Sequence, residues 1–220
     1  MRLAVLADEE QYAELMRYGI STELEIIRIS SPAVVEEADM YMDLLFDNTP
    51  ERSRAWSAVT PPLLIIGAVE FRIEELGYPF ALINNWPGFL GREVLEAGGQ
   101  DDIQDNIGKL AGLLNRRLEW VKPIPGLVSA RVVSMIINEA FFTIEEGVTD
   151  EDAIDIAMKL GTNYPKGPFE WKSIIGIKNI YELLKALSVT DSKYKPSPLL
   201  EKEARSEEHT SELQSRQYLV

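Results

Sequence analysis

Few residues in this chain belong to the types that most often do chemistry. Cysteine is absent, and there is a single histidine, His209. That excludes disulfide frameworks, thiolate metal sites and cysteine nucleophiles, and leaves no set of imidazoles for a metal, so the expected metal ligands are none. The remaining polar candidates are amides, carboxylates and a turn lysine. Asn138 and Glu139 lie inside an apolar helical run, where such residues either face a site or bridge a neighbouring segment in a dimer. Lys166 stands between Pro165 and Gly167, placed for a phosphate or simply solvated. Trp86, Phe89 and Tyr164 each adjoin Pro or Gly, and either line a pocket or serve packing.

Charge narrows the partners. The 220 residues hold 22 Lys plus Arg against 36 Asp plus Glu, a formal net charge of −14. Phosphate recognition rests on clustered Lys and Arg, so nucleic acid and anionic membrane are not expected partners. Apolar runs such as Leu63 to Ile66 are far below the roughly 18 residues of a spanning helix. The N-terminus, Met1 to Asp8, has no signal-length apolar region and reads as a core strand of a cytoplasmic protein.

From Arg205 the chain reads Arg-Ser-Glu-Glu-His-Thr-Ser-Glu-Leu-Gln-Ser, with no helical or strand period. This run resembles the in-frame translation of a sequencing-library adapter, and residues 205–220 are read as a non-native tail. It holds two basic and three acidic residues, so 20 against 33 remain without it, and the only histidine goes with it.

These side chains are positioned by two kinds of element. Leu3 to Leu6, Leu24 to Ile29, Tyr41 to Phe46, Leu63 to Ile66, Phe80 to Ile83 and Leu118 to Val121 read as strands bounded by Pro, Gly, Asn or Ser. Helices are expected over Glu9 to Tyr18, stopping at Gly19, and over Asp101 to Leu114, whose apolar positions Ile103, Ile107, Leu110, Ala111 and Leu114 share one face. The alternation points to an α/β layer with a mainly parallel sheet. Lys122-Pro123-Ile124-Pro125-Gly126 then breaks the pattern. Beyond it everything is helical: Leu127 to Glu146, apolar nearly all round, then a helix capped near Thr149 to Asp152 and running to Gly161, then Phe169 to Ile175 and Asn179 to Leu187. The domains are accordingly 1–124, 125–204 and the tail.

The stretch Pro125-Gly126-Leu127-Val128-Ser129-Ala130-Arg131, followed by Asn138-Glu139-Ala140, Glu145 to Val148, Asp155 to Gly161, Tyr164-Pro165-Lys166-Gly167-Pro168-Phe169-Glu170 and Ile175-Gly176-Ile177, is similar to the C-terminal domain of the 3-hydroxyacyl-CoA dehydrogenases. The resemblance implies a Rossmann-like N-terminal domain, here shortened, joined to an all-α domain that dimerises and helps enclose an acyl-CoA. It also implies NAD as the cofactor and a place in fatty-acid or 3-hydroxybutyryl-CoA metabolism.

In that family a His oriented by a Glu takes the hydroxyl proton. Aligning Val94-Leu95-Glu96-Ala97 with the segment that carries the Glu keeps Glu96, and the His position twelve residues upstream falls on Asn84. An amide can hold an oxygen but does not titrate near neutral pH. The family's Asn after Pro-Gly is Ala130, and Gly67-Ala68-Val69 lacks the family's Ser. A dinucleotide turn needs glycines beside the diphosphate, whereas Ala7-Asp8-Glu9-Glu10-Gln11-Tyr12 has none and carries three carboxylates; Ser30 and Ser31 stand where an acidic residue would hold the ribose. The cofactor-binding residues are therefore expected to be none. Two roles stay open for Asn84 with Glu96: a retained polar pocket for an acyl-CoA oxygen, or a strand-end turn beside a solvated carboxylate. Two functions stay open with them, a dehydrogenase and a non-catalytic acyl-CoA-binding or dimerisation relative, a pseudoenzyme.

Overall fold

A computed structural model describes residues 1–71, 73 and 76–217, with side chains described as far as Glu207; His209 lies outside the described side chains. The chain divides into two compact units, Met1–Ala130 and Arg131–Val220.

The first unit is a seven-stranded sheet in the order β2-β1-β3-β4-β5-β6-β7. Its strands are β1 (Arg2–Leu6), β2 (Glu25–Arg28), β3 (Met40–Asp43), β4 (Leu64–Gly67), β5 (Phe80–Ile83), β6 (Val94–Gly99) and β7 (Arg117–Val121). Its helices are α1 (Glu9–Leu15), α2 (Pro50–Val59) and α3 (Gln104–Leu113). All neighbours pair parallel except β5 with β6. The central strands β1, β3 and β4 are apolar at nearly every position because both faces are covered. Leu3, Val5, Met42 and Ile65 pack with the α3 residues Ile107, Leu110 and Ala111 on one face. Ala4, Tyr41, Leu64 and Ile66 pack with Trp56 of α2 on the other. Residues 29–39, between β2 and β3, carry no helix, as a shortened fold requires.

Several boundaries depart from expectation for local reasons. β3 stops at Asp43 and not at Phe46, because the Asp43 side chain accepts the Leu45 N–H at 3.1 Å and turns the chain. β6 is not among the strands expected from the sequence, its Leu-Glu-Ala being followed by two glycines. Gly98 is nonetheless required in the strand, since a Cβ there would lie 2.5 Å from the Val121 carbonyl oxygen. α2 was not anticipated, although Thr49 caps it through the Arg52 N–H at 3.2 Å and Pro50 opens it.

The second unit is formed by α4 (Ser129–Glu145), α5 (Glu151–Thr162), α6 (Pro168–Ile175), α7 (Ile177–Ser188) and α8 (Pro198–Gln217). Asp150 caps α5 by accepting the Ala153 N–H at 2.9 Å, and left-handed Asn163 ends it beyond the expected stop at Gly161. α8 corrects the expectation of no regular element from Arg205 onward: the helix continues to Gln217. Its start is anchored by Ser197, whose hydroxyl accepts the Leu200 N–H at 3.1 Å.

Candidate active site and cofactor turn

The order β2-β1-β3 reverses the winding at β1, so the carboxyl ends of β1 and β3 flank the crevice where open α/β sheets usually take ligands. The first turn, after β1, folds as a closed helix cap. Asp8 Oδ1 accepts the Gln11 N–H at 2.8 Å, and Gln11 Oε1 accepts the Asp8 N–H at 3.3 Å, forming a reciprocal capping box. The amides a diphosphate would need are therefore spent on side chains, and Asp8, Glu9 and Glu10 place negative charge there. Glu9 is held by Arg28 of β2 at 2.7 and 3.1 Å, which ties α1 to the sheet edge, and this pairing keeps the Glu9 carboxyl below its ordinary range. The cleft left beside the turn measures about 80 Å³. The residues present do not fit the diphosphate of NAD, which carries like charge and needs free N–H donors.

Asn84 and Glu96 are cross-strand neighbours at the antiparallel β5–β6 junction, where the Asn84 N–H donates to the Glu96 carbonyl at 3.2 Å. Their side chains serve different partners. Asn84 is buried; its Oδ1 accepts the Trp86 N–H at 3.2 Å, and its Nδ2 is buried with no hydrogen-bond partner. The Glu96 carboxylate takes the Val128 N–H in a short hydrogen bond and the Ser129 N–H at 3.1 and 3.2 Å. It therefore caps the first turn of α4, satisfying donors that a helix cannot satisfy internally. The reading of Glu96 as a solvated carboxylate is thereby corrected, while the strand-end turn at Asn84 is present.

The cap also holds a strained joint. Leu127 sits at φ 44°, a conformation costly for a branched side chain, after Gly126 at φ 81°. Burial of Leu127, the bond from Gly126 N–H to the Val69 carbonyl at 2.7 Å, and the Glu96 cap hold it in place. The Pro/Gly joint read in the sequence thus belongs to the first unit. Beside Glu96, a cleft of about 230 Å³ opens on the outer face of β6 and β7, walled by Val94, Val121 and Val128 with Arg92 and Glu119 at its rim. Burial pulls the Arg92 guanidinium below its usual value, opposed by Glu96 and Glu14.

Sequence reasoning missed a buried ionic group. Asp43, fully buried at the end of β3, accepts the Trp56 indole N–H at 2.7 Å and pairs with Arg52 Nε at 3.2 Å. Burial pushes its carboxyl up, against the pull of Trp56, Arg52 and the Leu45 amide. The available signal was Arg52 and Trp56 spaced i, i+4 behind the Thr49-Pro50 start. Glu70, in the loop that lacks the family's Ser, accepts the Trp86 indole N–H in a short bond.

The remaining candidates make local contacts or face solvent. Trp86 and Phe89 stack edge-on at 6.5 Å in the first unit. Tyr164 is partly exposed in the second. Asn138 bridges its own chain, donating to the Lys195 carbonyl at 3.0 Å and accepting the Ser197 N–H at 2.8 Å, whereas Glu139 is exposed. Lys166 lies 6.0 Å from the Trp171 ring centroid, a cation–π contact. Among the described residues no group of His, Cys, Asp and Glu stands ready to hold a metal ion, and none of the helices is long and apolar enough to cross a membrane.

Comparison with known proteins places this geometry. Residues 126–218 match the family model of the 3-hydroxyacyl-CoA dehydrogenase C-terminal domain. A probable 3-hydroxybutyryl-CoA dehydrogenase of Bacillus subtilis is 39% identical, over 88% of this chain and 76% of its own length. A 3-hydroxybutyryl-CoA dehydrogenase of Bradyrhizobium diazoefficiens is 38% identical over 50% of this chain and 39% of that protein. The solved (S)-3-hydroxybutyryl-CoA dehydrogenase of Ralstonia eutropha superposes with a TM-score of 0.76 over 93% of both chains at 18% identity, a likeness of fold. The Rossmann-like sheet, the helical second unit and the match along both together make this chain a member of the 3-hydroxyacyl-CoA dehydrogenase family.

Proposed function

We propose that this family member holds a short acyl-CoA without itself transferring hydride, serving 3-hydroxybutyryl-CoA or fatty-acid metabolism in the cytoplasm as a homodimer. One observation carries the reading: the position of the family's base is Asn84, whose buried Nδ2 is a donor without an acceptor. An amide N–H donates to a carbonyl or hydroxyl oxygen that reaches it, and it cannot take a proton from one. The carboxylate that would orient a base is occupied by the start of α4. NAD enters by family resemblance alone, and the first turn gives it no cradle. The valine-walled cleft, about 230 Å³, is below the roughly 300–1,000 Å³ of pockets for drug-sized ligands and suits a short acyl end. Support for the dimer comes from α4, where Val132, Val133, Met135 and Ile136 keep apolar surface in solvent.

The test is a calorimetric titration with acetoacetyl-CoA beside an absorbance assay of NADH. Saturable binding at micromolar ligand with no loss of NADH is expected. Oxidation of NADH on addition of acetoacetyl-CoA overturns the reading, and so does the absence of acetoacetyl-CoA binding.

A further inference from the structure

We propose that the crevice at the winding reversal of the sheet is a structural seam in this chain, closed to dinucleotides by a knot of side-chain amides. Leu44, the first residue after β3, is buried, and its carbonyl accepts two donors: Gln11 Nε2 at 2.9 Å and Asn85 Nδ2 at 2.9 Å. Gln11 comes from α1, which follows β1, and Asn85 comes from the loop after β5. One backbone oxygen thus ties together the carboxyl ends of three strands. The fourth strand of the crevice makes room for the knot: at Gly67, the last residue of β4, a Cβ would fall 2.5 Å from Asn85 Nδ2.

The elements that would have to part for a ligand are fastened elsewhere too. Glu14 of α1 accepts the Gly88 and Gly91 N–H groups at 2.7 and 2.8 Å, holding the helix to the loop that carries Asn85. Arg116, buried before β7, donates to the Glu14 and Leu15 carbonyls at 2.5 and 2.8 Å and to the Leu90 carbonyl in a short bond. Gln11 is fixed a second time by its capping box with Asp8. A diphosphate would have to break these bonds and then meet Asp8, Glu10 and Glu14. The inference stands on this geometry and does not rest on acyl-CoA binding.

The experiment is thermal melting of the full chain, alone and with NADH and acetoacetyl-CoA in separate arms, beside Gln11→Ala, Asn85→Ala and Gln11→Glu. The glutamate keeps an acceptor for the Asp8 N–H and cannot donate to Leu44. Millimolar NADH is expected to leave the wild-type Tm unchanged. Each variant is expected to melt about 2–6 °C lower, the range for a lost, half-buried hydrogen bond in a chain of this size. A rise of the wild-type Tm with NADH overturns the proposal, as does melting of both alanine variants within about 1 °C of wild type. If the alanine variants fail to fold, Gln11→Glu and the wild-type NADH arm decide it on the same criteria.

Discussion

The helical unit and the α/β unit both spend polar side chains on fastening backbone amides, and they differ in how far those side chains are the family's own. In the helical unit, the residues that resemble the family are fastenings. Asp155 accepts the Phe169 and Glu170 N–H groups at 2.8 and 3.1 Å and so caps α6. Gly167 is glycine because a Cβ would lie 2.2 Å from the Asp155 carboxyl. Glu170 reaches back to the Gly167 N–H at 2.9 Å and pairs with Lys159. In the α/β unit, Asn84 stands at the base position with its Nδ2 unpartnered, while the retained Glu96 and the Gln11 of the first turn are taken up locally: Gln11 with Asp8, Glu96 with the α4 amides. Resemblance is therefore strongest where side chains hold the fold. The match over residues 126–218 speaks for scaffold, and the chemistry has to be read from the sheet ends.

Substitutions in the two units should have effects of different size. The largest effect is expected from Asp43→Ala in the α/β unit, which leaves the Arg52 charge and two N–H groups without their acceptor. Loss of one partner from a buried ion pair costs about 3–5 kcal/mol, readable by urea denaturation. Asp43→Asn separates charge from shape. Because burial raises the Asp43 pKa, the folded chain binds its proton more tightly than the unfolded chain does. That contribution is full below the unfolded value of about 3.9 and is lost as pH rises through the folded one. The asparagine variant should flatten this fall of stability with pH, and an unchanged slope would refute the assignment.

Gly167→Ala should cost the helical unit about 3 kcal/mol by displacing Asp155 from both amides, and a neutral result would show that the motif glycine is not there for the cap. Glu96→Ala should cost about 1–3 kcal/mol and speed hydrogen exchange at the Val128 and Ser129 amides, with Glu96→Gln between it and wild type. Unchanged exchange would restore Glu96 to a site role. Asn84→His should leave NADH oxidation with acetoacetyl-CoA at background despite the new base, and any turnover would argue that the α/β unit keeps a working cofactor site. The smallest effect is expected from Glu170→Gln. Lys159, with the Gly167 amide, holds the Glu170 carboxyl low, so its contribution is present above the unfolded value of about 4.3 and lost as pH falls through the folded one. The melting difference from wild type should vanish in acid.

Much of this architecture was legible because periodicity reports burial. β1 and β5 stand where continuous apolar runs place them, and α3 follows the spacing of Ile107, Leu110 and Ala111. What escaped were features that depend on distant partners. β6 hides behind Gly98 and Gly99, whose necessity comes from β7 and from Phe80. Asp43 falls inside the expected strand Tyr41 to Phe46 with nothing to mark it until Trp56 and Arg52 close over it. Residues 84 and 96 could be picked out as a pair. That Glu96 turns toward Val128 and Ser129 could not, because backbone donors leave no mark in a sequence.

The Leu44 carbonyl has a consequence for how this chain can change. A main-chain oxygen survives any substitution at its own position, so the knot can be undone only from the donors, Gln11 and Asn85. A Gln11→Gly change would release one of the two bonds and leave Asn85 still seated over Gly67. Releasing the carbonyl therefore takes replacements in two separate elements, helix α1 and the loop after β5. Because both donors share one acceptor, the effects of replacing them should not add, and a single replacement leaves the other bond holding the strand ends together.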